Sequence, residues 1–241
     1  MKRLLPTVTL LGVDCVNIER LMLAADICCE NFEFADVKLL TSLPAPAGTP
    51  KVEIPPINSS AEYSEFVIRH LTEYVNTPHV LIIQYDGFIL NPDAWSDEFL
   101  EYDYIGAPQH IRQPFVEWFG LPQELLGQWV VGNGGFSLRT KRFVDACAEL
   151  AERGAITDYH PEDNRLCITY RGELDARGMR YAPRTVAERF SFEGEDGANT
   201  WNGEFGFHGI RWTDISKWTV AHPEYVVDME GNTLARRSVQ P

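Results

Sequence analysis

The stretch His79-Val-Leu-Ile-Ile-Gln84, which runs directly into Tyr85-Asp86-Gly87, decides the fold class. Its four successive apolar residues predict a strand that is covered on both faces, as in the middle of a parallel sheet. A carboxylate cannot continue such a strand cheaply, so Asp86 is expected to project from the edge of the sheet. Gly87 permits a tight turn or the close approach of a phosphate. A turn aspartate, common in Asp-Gly pairs, explains the position equally well.

Two strand–helix units precede this stretch. Their alternation predicts a parallel sheet with right-handed crossovers between its strands. Ligands of such sheets bind outside the carboxyl ends of the strands, where Asp14 and Asp86 are both expected. The predicted strands are Thr7–Val13 and Ala35–Thr41, and the predicted helices are Asn17–Asn31 and Ser60–Tyr74.

The chain after Asp86 is less regular. Residues 110–128 form a long, aromatic-rich insertion, which is typical of a binding loop. No change of composition marks a linker, so residues 1–241 are predicted to form one domain with two halves, about 1–100 and 101–227, and a loosely held polar tail from 228 to 241. The later predicted elements are a short strand Tyr102–Ala107, helices Thr140–Arg153 and Pro161–Arg177, a strand Met179–Ala182 and a polar loop Glu193–Glu204.

The charge balance restricts the ligands. Lys and Arg number 21 against 35 Asp and Glu, a formal net charge of −14. A field of that sign repels polyphosphates, so nucleic acid is not an expected partner. An anionic ligand needs a metal ion or a local basic patch. The apolar stretch Leu4–Val13 is too short to span a bilayer and lacks a following cleavage site, so we expect a cytoplasmic protein with at most peripheral membrane association.

Three later features could carry chemistry. Gly132-Asn-Gly-Gly135 could expose backbone amides beside a ligand, although a turn before a strand explains it as well. His160-Pro-Glu162-Asp163 opens a predicted helix, where Pro and acidic residues are favoured for structural reasons alone. A carboxylate there could also serve as a general base. His208 lies between aromatic and glycine residues, as either a packed histidine or a metal ligand.

Taken together and in this order, these features resemble the motifs of the GT-A-type glycosyltransferases. Gln84-Tyr85-Asp86 resembles their Asp-x-Asp motif, Gly132–Gly135 their glycine loop, Pro161-Glu162-Asp163 their x-Glu-Asp motif, and His208 their late metal-binding histidine. The strings VDCVN, QYDGFILNP, YDYIGAP, GNGGFSLR, HPED and FGFHG further resemble a family of small bacterial proteins catalogued as a domain of unknown function, over about residues 6–210. Gln84 departs from the motif, because the family has a carboxylate there.

The resemblance implies an α/β fold that is GT-A-like, or Rossmann-like. A mostly parallel central sheet is flanked by helices, and an acceptor-side half contains a small mixed sheet and long loops. It implies metal-dependent transfer of a sugar from a nucleotide-sugar, commonly UDP-linked, to a hydroxyl of a glycan or another acceptor. Asp163 would be the general base of an inverting reaction, and Glu162 the fallback. Asp86 and His208 would hold Mn²⁺ or Mg²⁺.

The remaining site residues are predicted from the same resemblance. Asp14 would bind the nucleoside or only cap the following helix, and Arg139 would bind phosphate or form a salt bridge on the outer face. Donor contacts are predicted at Val13, Asp14, Asn17, Thr41, Ser42, Gln84, Tyr85, Asp86, Gly134 and Gly135, and acceptor contacts at Trp118, Trp129, His160 and Trp201, with Trp212 a further stacking candidate.

Two other functions fit the same sequence. A degenerate, non-catalytic domain that binds nucleotide-sugars is favoured by Gln84 and disfavoured by Glu162, Asp163 and His208. A sugar nucleotidyltransferase is disfavoured because Val13–Asn17 lacks the glycine- and base-containing loop that holds a triphosphate. The resemblance to bacterial proteins indicates a role in polysaccharide synthesis at the inner face of the cell membrane.

Overall fold

A six-stranded sheet lies at the centre of the computed structural model, which describes residues 1–194, 199–228 and 233–237. The strands are β1 (Arg3–Val13), β2 (Phe32–Thr41), β3 (Lys51–Glu53), β4 (His79–Ile83), β5 (Tyr104–Ile105) and β8 (Ser137–Thr140). Their order in the sheet is β3-β2-β1-β4-β8-β5. The first four strands in this order are mutually parallel, and β8 runs antiparallel to both of its neighbours.

Helices cover both faces of this sheet. Successive residues of β1 point to opposite faces, so Leu10 packs in the core that contains Leu21 of α1, and Leu11 packs in the core that contains Val67 of α2. This arrangement confirms the predicted α/β class with a mostly parallel central sheet flanked by helices. The helices are α1 (Ile18–Asn31), α2 (Ser60–Arg69), α3 (Gln113–Phe119), α4 (Lys141–Glu152), α5 (Glu162–Asn164), α6 (Arg171–Ala176), α7 (Arg184–Phe190) and α8 (Ser216–Ala221).

Smaller two-stranded sheets stand beside the central one. Strands β6 (Pro108–His110) and β7 (Trp129–Val131) pair antiparallel and close residues 111–128, which include α3, into one excursion. The backbone N–H of Ile111 donates to Gln128 O at 2.9 Å at its base. Strands β9 (Ser191–Glu193) and β10 (Gly206–His208) pair in parallel.

Several predicted elements differ from those observed. The predicted helix Pro161–Arg177 is interrupted by a π-helical turn at Arg165–Thr169, between α5 and α6. Met179–Ala182 is not a strand, because only Tyr181 forms a bridge, to Tyr104, and the side chain of Asp103 accepts the N–H of Arg180. Helix α7 was not predicted.

The predicted tail is partly ordered. Strands β11 (Tyr225–Asp228) and β12 (Thr233–Arg236) form an antiparallel pair, and Tyr225 and Leu234 are buried in the core that α1 shares. Residues 229–232 and 238–241, and residues 195–198 of the predicted polar loop, lie outside the described residues. Within the described ranges, none of the helices has the length and apolar character that crossing a membrane requires. The single-domain organisation stays a prediction.

Candidate active site

The central strand β4 ends in a tight turn that carries Asp86. The backbone N–H of Gln84 donates to Gly87 O at 3.0 Å, and the N–H of Gly87 donates back to Gln84 O at 3.1 Å. Asp86 is 6% exposed, and its Oδ1 has no hydrogen-bond partner among the described residues. Burial raises the pKa of Asp86, and the neighbouring His208 partly offsets this rise. The turn therefore holds a desolvated carboxylate at the sheet edge.

His208, at the end of β10, faces this carboxylate. Its Nε2 lies 3.7 Å from Asp86 Oδ1 and 3.2 Å from Gln84 Oε1. The backbone ties the two segments together, since Gly209 N–H donates to Asp86 O at 2.7 Å. Burial alone would lower the pKa of His208, but the carboxylates of Asp86 and Glu193 outweigh it and raise the pKa to about 9.

Glu193, on the neighbouring strand β9, fixes the imidazole from the other side. Its Oε1 lies 3.1 Å from His208 Nδ1 and also accepts from Trp212 Nε1 at 3.1 Å. Its Oε2 accepts from Asn133 Nδ2 at 2.5 Å. A carboxylate on Nδ1 orients the ring and leaves Nε2 directed toward Asp86, as around metal-binding histidines.

This pair of side chains fits a divalent cation. Asp86 offers a buried oxygen without a hydrogen bond, and His208 Nε2 lies close enough for one ion to contact both. Carboxylate oxygen with imidazole nitrogen suits Mn²⁺ or Mg²⁺, with Mn²⁺ slightly favoured. Across residues 1–194, 199–228 and 233–237, no three His, Cys, Asp or Glu side chains converge as a metal-binding group. The remaining ligands would therefore come from Gln84 Oε1, water or substrate.

The glycine loop makes room for the side chains around it. A Cβ on Gly135 would stand 2.1 Å from His208 Nε2, and a Cβ on Gly134 would stand 2.2 Å from Glu162 Oε1. Asn133 adopts a positive φ of 60° and accepts the N–H of Gly135 with its Oδ1 at 3.1 Å. These glycines are thus required by packing, and their predicted contact with a donor stays a prediction.

Substituting Gly135 with alanine is expected to lower the free energy of unfolding by about 1–3 kcal/mol, because the added methyl overlaps the His208 ring, which is held between Asp86 and Glu193. Urea denaturation measures this change. Gly172→Ala is the matched control, since the space around a Cβ there is open and the residue lies in helix α6. It should leave stability unchanged or raise it by up to about 1 kcal/mol. Equal stability of the two variants would contradict the packing of His208 on Gly135.

A buried ion pair holds Glu162. Arg139 Nη2 donates to Glu162 Oε1 at 2.6 Å, and both residues are at most 5% exposed. Arg139 Nε also donates to Ser137 Oγ at 3.1 Å. Arg139 therefore lies neither on an outer face nor in a position to bind phosphate. The salt bridge that was one predicted alternative does form, but inside the protein.

Removing the arginine alone is expected to be costly. Arg139→Met leaves the Glu162 carboxylate buried and unpaired, which should lower the free energy of unfolding by about 3–5 kcal/mol. The double variant Arg139→Met/Glu162→Gln should recover much of that loss, because no uncompensated charge remains. Chemical denaturation of the single and double variants gives the coupling energy. Additive losses would show that the two side chains do not interact as described.

Asp163, next in sequence, lines an open cleft. Burial, followed by the charge of Glu162, raises its pKa to about 7. The cleft has a volume of about 650 Å³, and its walls include Trp118, Trp212 and Glu193. A carboxyl group with a pKa near neutrality, among aromatic rings, is suited to accept a proton from a bound hydroxyl.

The other predicted acceptor residues occupy different surroundings. Trp129 lines a neighbouring cavity of about 290 Å³, which shares Pro108 and Glu193 with the larger cleft. Trp201 is 8% exposed and packs in the core, where its Nε1 donates to Glu204 O at 3.0 Å, and its predicted contact with an acceptor stays a prediction. His160 is exposed and bonds through Nδ1 to Ser64 Oγ at 2.9 Å, and it is not the helix cap that was its alternative.

The polar groups at the ends of β1 and β2 bond within the protein. Asp14 Oδ1 accepts the backbone N–H groups of Val16 and Asn17, at 2.7 and 2.9 Å. These two bonds form the turn that leads into α1. Asp14 is not the helix cap that was one predicted alternative, because Asn17 holds that position. Thr41 is fully buried and accepts Leu43 N–H, and Asn17 caps α1. Nucleoside contacts at Val13, Asp14, Asn17, Thr41 and Ser42 stay predictions.

Three site residues were missed by sequence reasoning. Glu193 was assigned to a polar loop, and no pattern marks it as the partner of His208. No sequence pattern marks Tyr63 as a site residue either. Its Oη accepts a hydrogen bond from Gln84 Nε2 at 3.0 Å. Arg20, whose Nε donates to Asp14 Oδ2 at 2.8 Å, lies on α1 with its guanidinium 3.6 Å from the centre of the Tyr85 ring.

A family model described as "Protein of unknown function (DUF5672)" matches residues 49–208, about two thirds of the chain. The chain belongs to this family. The DUF5672 segment contains the turn at Asp86, the glycine loop, Glu162, Asp163, Glu193 and, as its last residue, His208. Arg20 and Asp14 precede the segment.

No curated protein matches the chain in sequence. Among solved structures, the DUF5672 chain is similar to the galactosyltransferase LgtC in complex with donor and acceptor sugar analogues, with 14% identity, a TM-score of 0.49, and coverage of 89% of this chain and 93% of that one. A mannosyltransferase from Pyrobaculum calidifontis, PcManGT, in complex with GDP-Man and Mn²⁺, is similar with 14% identity, a TM-score of 0.41, and coverage of 75% and 55%.

Proposed function

We propose that the protein is a glycosyltransferase that moves a sugar from a nucleotide-sugar donor to a hydroxyl of a glycan or another acceptor. One observation carries the proposal. A single cleft is lined both by Asp163, a carboxyl with a pKa of about 7, and by Glu193, which holds His208 beside the Asp86 oxygen that accepts no hydrogen bond from the described residues. A proton acceptor and a site for a cation, side by side, are what transfer from a diphosphate donor to a hydroxyl requires.

Asp86 and His208 would hold Mn²⁺ or Mg²⁺ at the end of β4. When bound, the cation supplies positive charge that stabilises the diphosphate leaving group. Glu193 keeps the imidazole ring in place, and Gln84 presents its amide oxygen to the same region without adding negative charge. The missing first carboxylate of the motif is thus replaced by a neutral oxygen.

Asp163 acts as the general base in this proposal. It accepts the proton of the acceptor hydroxyl while that oxygen bonds to the anomeric carbon and the bond from that carbon to the donor phosphate breaks. Direct attack of this kind inverts the anomeric configuration. Glu162 is held by Arg139 and keeps Asp163 protonated to higher pH through its charge. The rings of Trp118 and Trp212, in the same cleft, offer apolar faces to an acceptor sugar.

The proposal names the donor only as a nucleotide-sugar and specifies neither its nucleobase nor its sugar. UDP-linked sugars are the first choice for testing, and GDP-linked sugars the second. We place the reaction in the bacterial cytoplasm, in polysaccharide synthesis at the inner face of the cell membrane.

A donor-hydrolysis panel tests the proposal. Purified protein is incubated with UDP-, GDP- and dTDP-linked sugars in Mn²⁺, Mg²⁺ or EDTA, and released nucleoside diphosphate is measured. Release from one donor with metal, and its loss in EDTA, is the expected result. Metal-dependent donor binding without hydrolysis, with or without glycan acceptors, favours a degenerate binding domain. Formation of a nucleotide-sugar from a nucleoside triphosphate and a sugar phosphate would identify a nucleotidyltransferase instead.

A further inference from the structure

Arg20 stands at the same sheet edge as Asp86, although it comes from a different part of the chain. Its Nε donates to Asp14 Oδ2 at 2.8 Å, and its guanidinium carbon lies over the ring of Tyr85, 3.6 Å from the ring centre. Tyr85 immediately precedes Asp86 in the turn after β4. The positive charge of Arg20 is close enough to lower the pKa of Asp86.

Two contacts fix the position of the Arg20 guanidinium and leave its Nη1 and Nη2 groups available for a further hydrogen bond. Asp14 takes the Nε edge and Tyr85 supports one face, while Nη1 and Nη2 bond to no described residue. The side chain keeps 22% of its surface exposed, so these N–H groups face solvent. A guanidinium fixed in this way loses little entropy when it binds, and its paired N–H groups match the oxygens of a phosphate.

Two other cations of the central sheet are engaged within the protein. Arg139 is buried against Glu162, and Lys38 donates to Tyr74 O at 2.8 Å and pairs with Asp36. The whole chain carries a net charge of −14, so a diphosphate needs a local positive group in order to bind. Arg20 supplies such a group beside the proposed cation site.

We propose that Arg20 binds the diphosphate of the donor, with Tyr85 and Asp14 holding its guanidinium in position. This inference rests on the proposed function, because it names a diphosphate ligand for the same site. Arg20 would then act on the phosphate oxygens directly, and diphosphate binding would not depend on the cation alone.

The test measures binding of UDP, GDP and inorganic pyrophosphate by titration calorimetry, once with Mn²⁺ and once with EDTA. The proteins are the wild type, Arg20→Gln and Arg20→Lys. Arg69→Gln is the control, since it removes one positive charge at an exposed side chain of α2, which pairs with Glu65. Uridine and guanosine serve as ligands without phosphate. Thermal unfolding of every variant verifies that it folds.

We expect Arg20→Gln to weaken nucleoside diphosphate and pyrophosphate binding roughly 10- to 100-fold in both metal conditions, since a charged hydrogen-bonding partner is lost. Arg20→Lys should bind with intermediate affinity, and Arg69→Gln should match the wild type. Nucleoside binding should not change. Unchanged diphosphate binding in a folded Arg20→Gln, or equal weakening of nucleosides and diphosphates, would overturn the inference.

The two proposals fail in different ways. If Asp86→Asn abolishes metal-dependent diphosphate binding but Arg20→Gln has no effect, the Arg20 inference is overturned and the transferase proposal stands. If Arg20→Gln weakens diphosphate binding but no donor is hydrolysed or transferred, the inference stands and the transferase proposal is lost. If the folded wild type binds neither diphosphate nor pyrophosphate in either condition, both are overturned.

Discussion

The Asp163→Asn variant is expected to transfer sugar about 10²–10⁴ times more slowly than the wild type, because an amide cannot accept the hydroxyl proton. Activity of the wild type should rise with pH through about 7, the pKa at which Asp163 ionises. The active, ionised fraction is then about one tenth at pH 6 and about nine tenths at pH 8. Rates at saturating donor over pH 5.5–8.5 measure both effects.

The same substitution should stabilise the fold at pH 8. The pKa of Asp163 is raised on folding, from an ordinary 3.8 to about 7, so the folded state holds this proton more tightly than the unfolded state. The contribution of protonated Asp163 to the free energy of unfolding is fully present below pH 3.8 and is lost as pH rises through about 7. Asparagine stays neutral throughout, so its advantage over ionised aspartate should grow between pH 5 and pH 8.

Asp175→Asn is the matched control for this experiment. It is the same isosteric change at an exposed carboxylate, which pairs with Arg171 one helical turn away. Its rate and pH profile should equal those of the wild type. Wild-type transfer rates in a folded Asp163→Asn would exclude this residue as the base, and an unchanged dependence of stability on pH would exclude the raised pKa.

The Asp86→Asn variant is expected to lose metal-dependent donor binding. The substitution removes the charged oxygen that would contact the cation, so Mn²⁺ affinity should fall by more than the roughly 10- to 100-fold that loss of a supporting residue costs. Glu193→Gln is the matched comparison, because Glu193 touches His208 and not the cation site directly. Its loss should lie within that range.

A second measurement tests the contact between Asp86 and His208 in the absence of metal. The carboxylate of Asp86 helps to raise the pKa of His208 to about 9, so Asp86→Asn should lower that pKa. Titration of the His208 ring protons by nuclear magnetic resonance follows this directly. An unchanged His208 pKa in Asp86→Asn, together with unchanged Mn²⁺ binding, would contradict the pairing of these two residues.

Local patterns in the sequence were sufficient to predict the front half of the fold. The apolar run after His79 predicts β4, and the spacing of apolar residues in α1 predicts its buried face, because each depends on neighbours a few residues apart. The break between α5 and α6 was not predictable in this way. It depends on a π-helical turn, in which Tyr170 N–H bonds to Arg165 O, inside a region whose composition is helical throughout.

In the candidate site, too, some residues could be predicted from the local sequence and others depend on tertiary structure. Asp86 and Asp163 were identifiable because each follows or opens an element with a clear local signature. Glu193 was not, since its role comes from pairing between β9 and β10, which places it beside His208. The burial of Trp201 likewise depends on distant segments that pack over it. Contacts of this kind arise from tertiary structure and leave no periodicity in the sequence.

The paired strands β6 and β7 separate residues 111–128 from the rest of the fold, so this segment can differ in sequence and length from one relative to another. Residues 111–128 leave the fold and return to it at adjacent backbone positions, where Ile111 N–H donates to Gln128 O and Gly127 N–H donates to Ile111 O. Their aromatic side chains form one wall of the cleft, whereas Asp86, Asp163 and His208 are anchored elsewhere. A different excursion could be inserted at this point without displacing those three residues. If the protein is the transferase proposed above, replacement of residues 111–128 would change the surface offered to an acceptor while Asp86, Asp163 and His208 keep their positions.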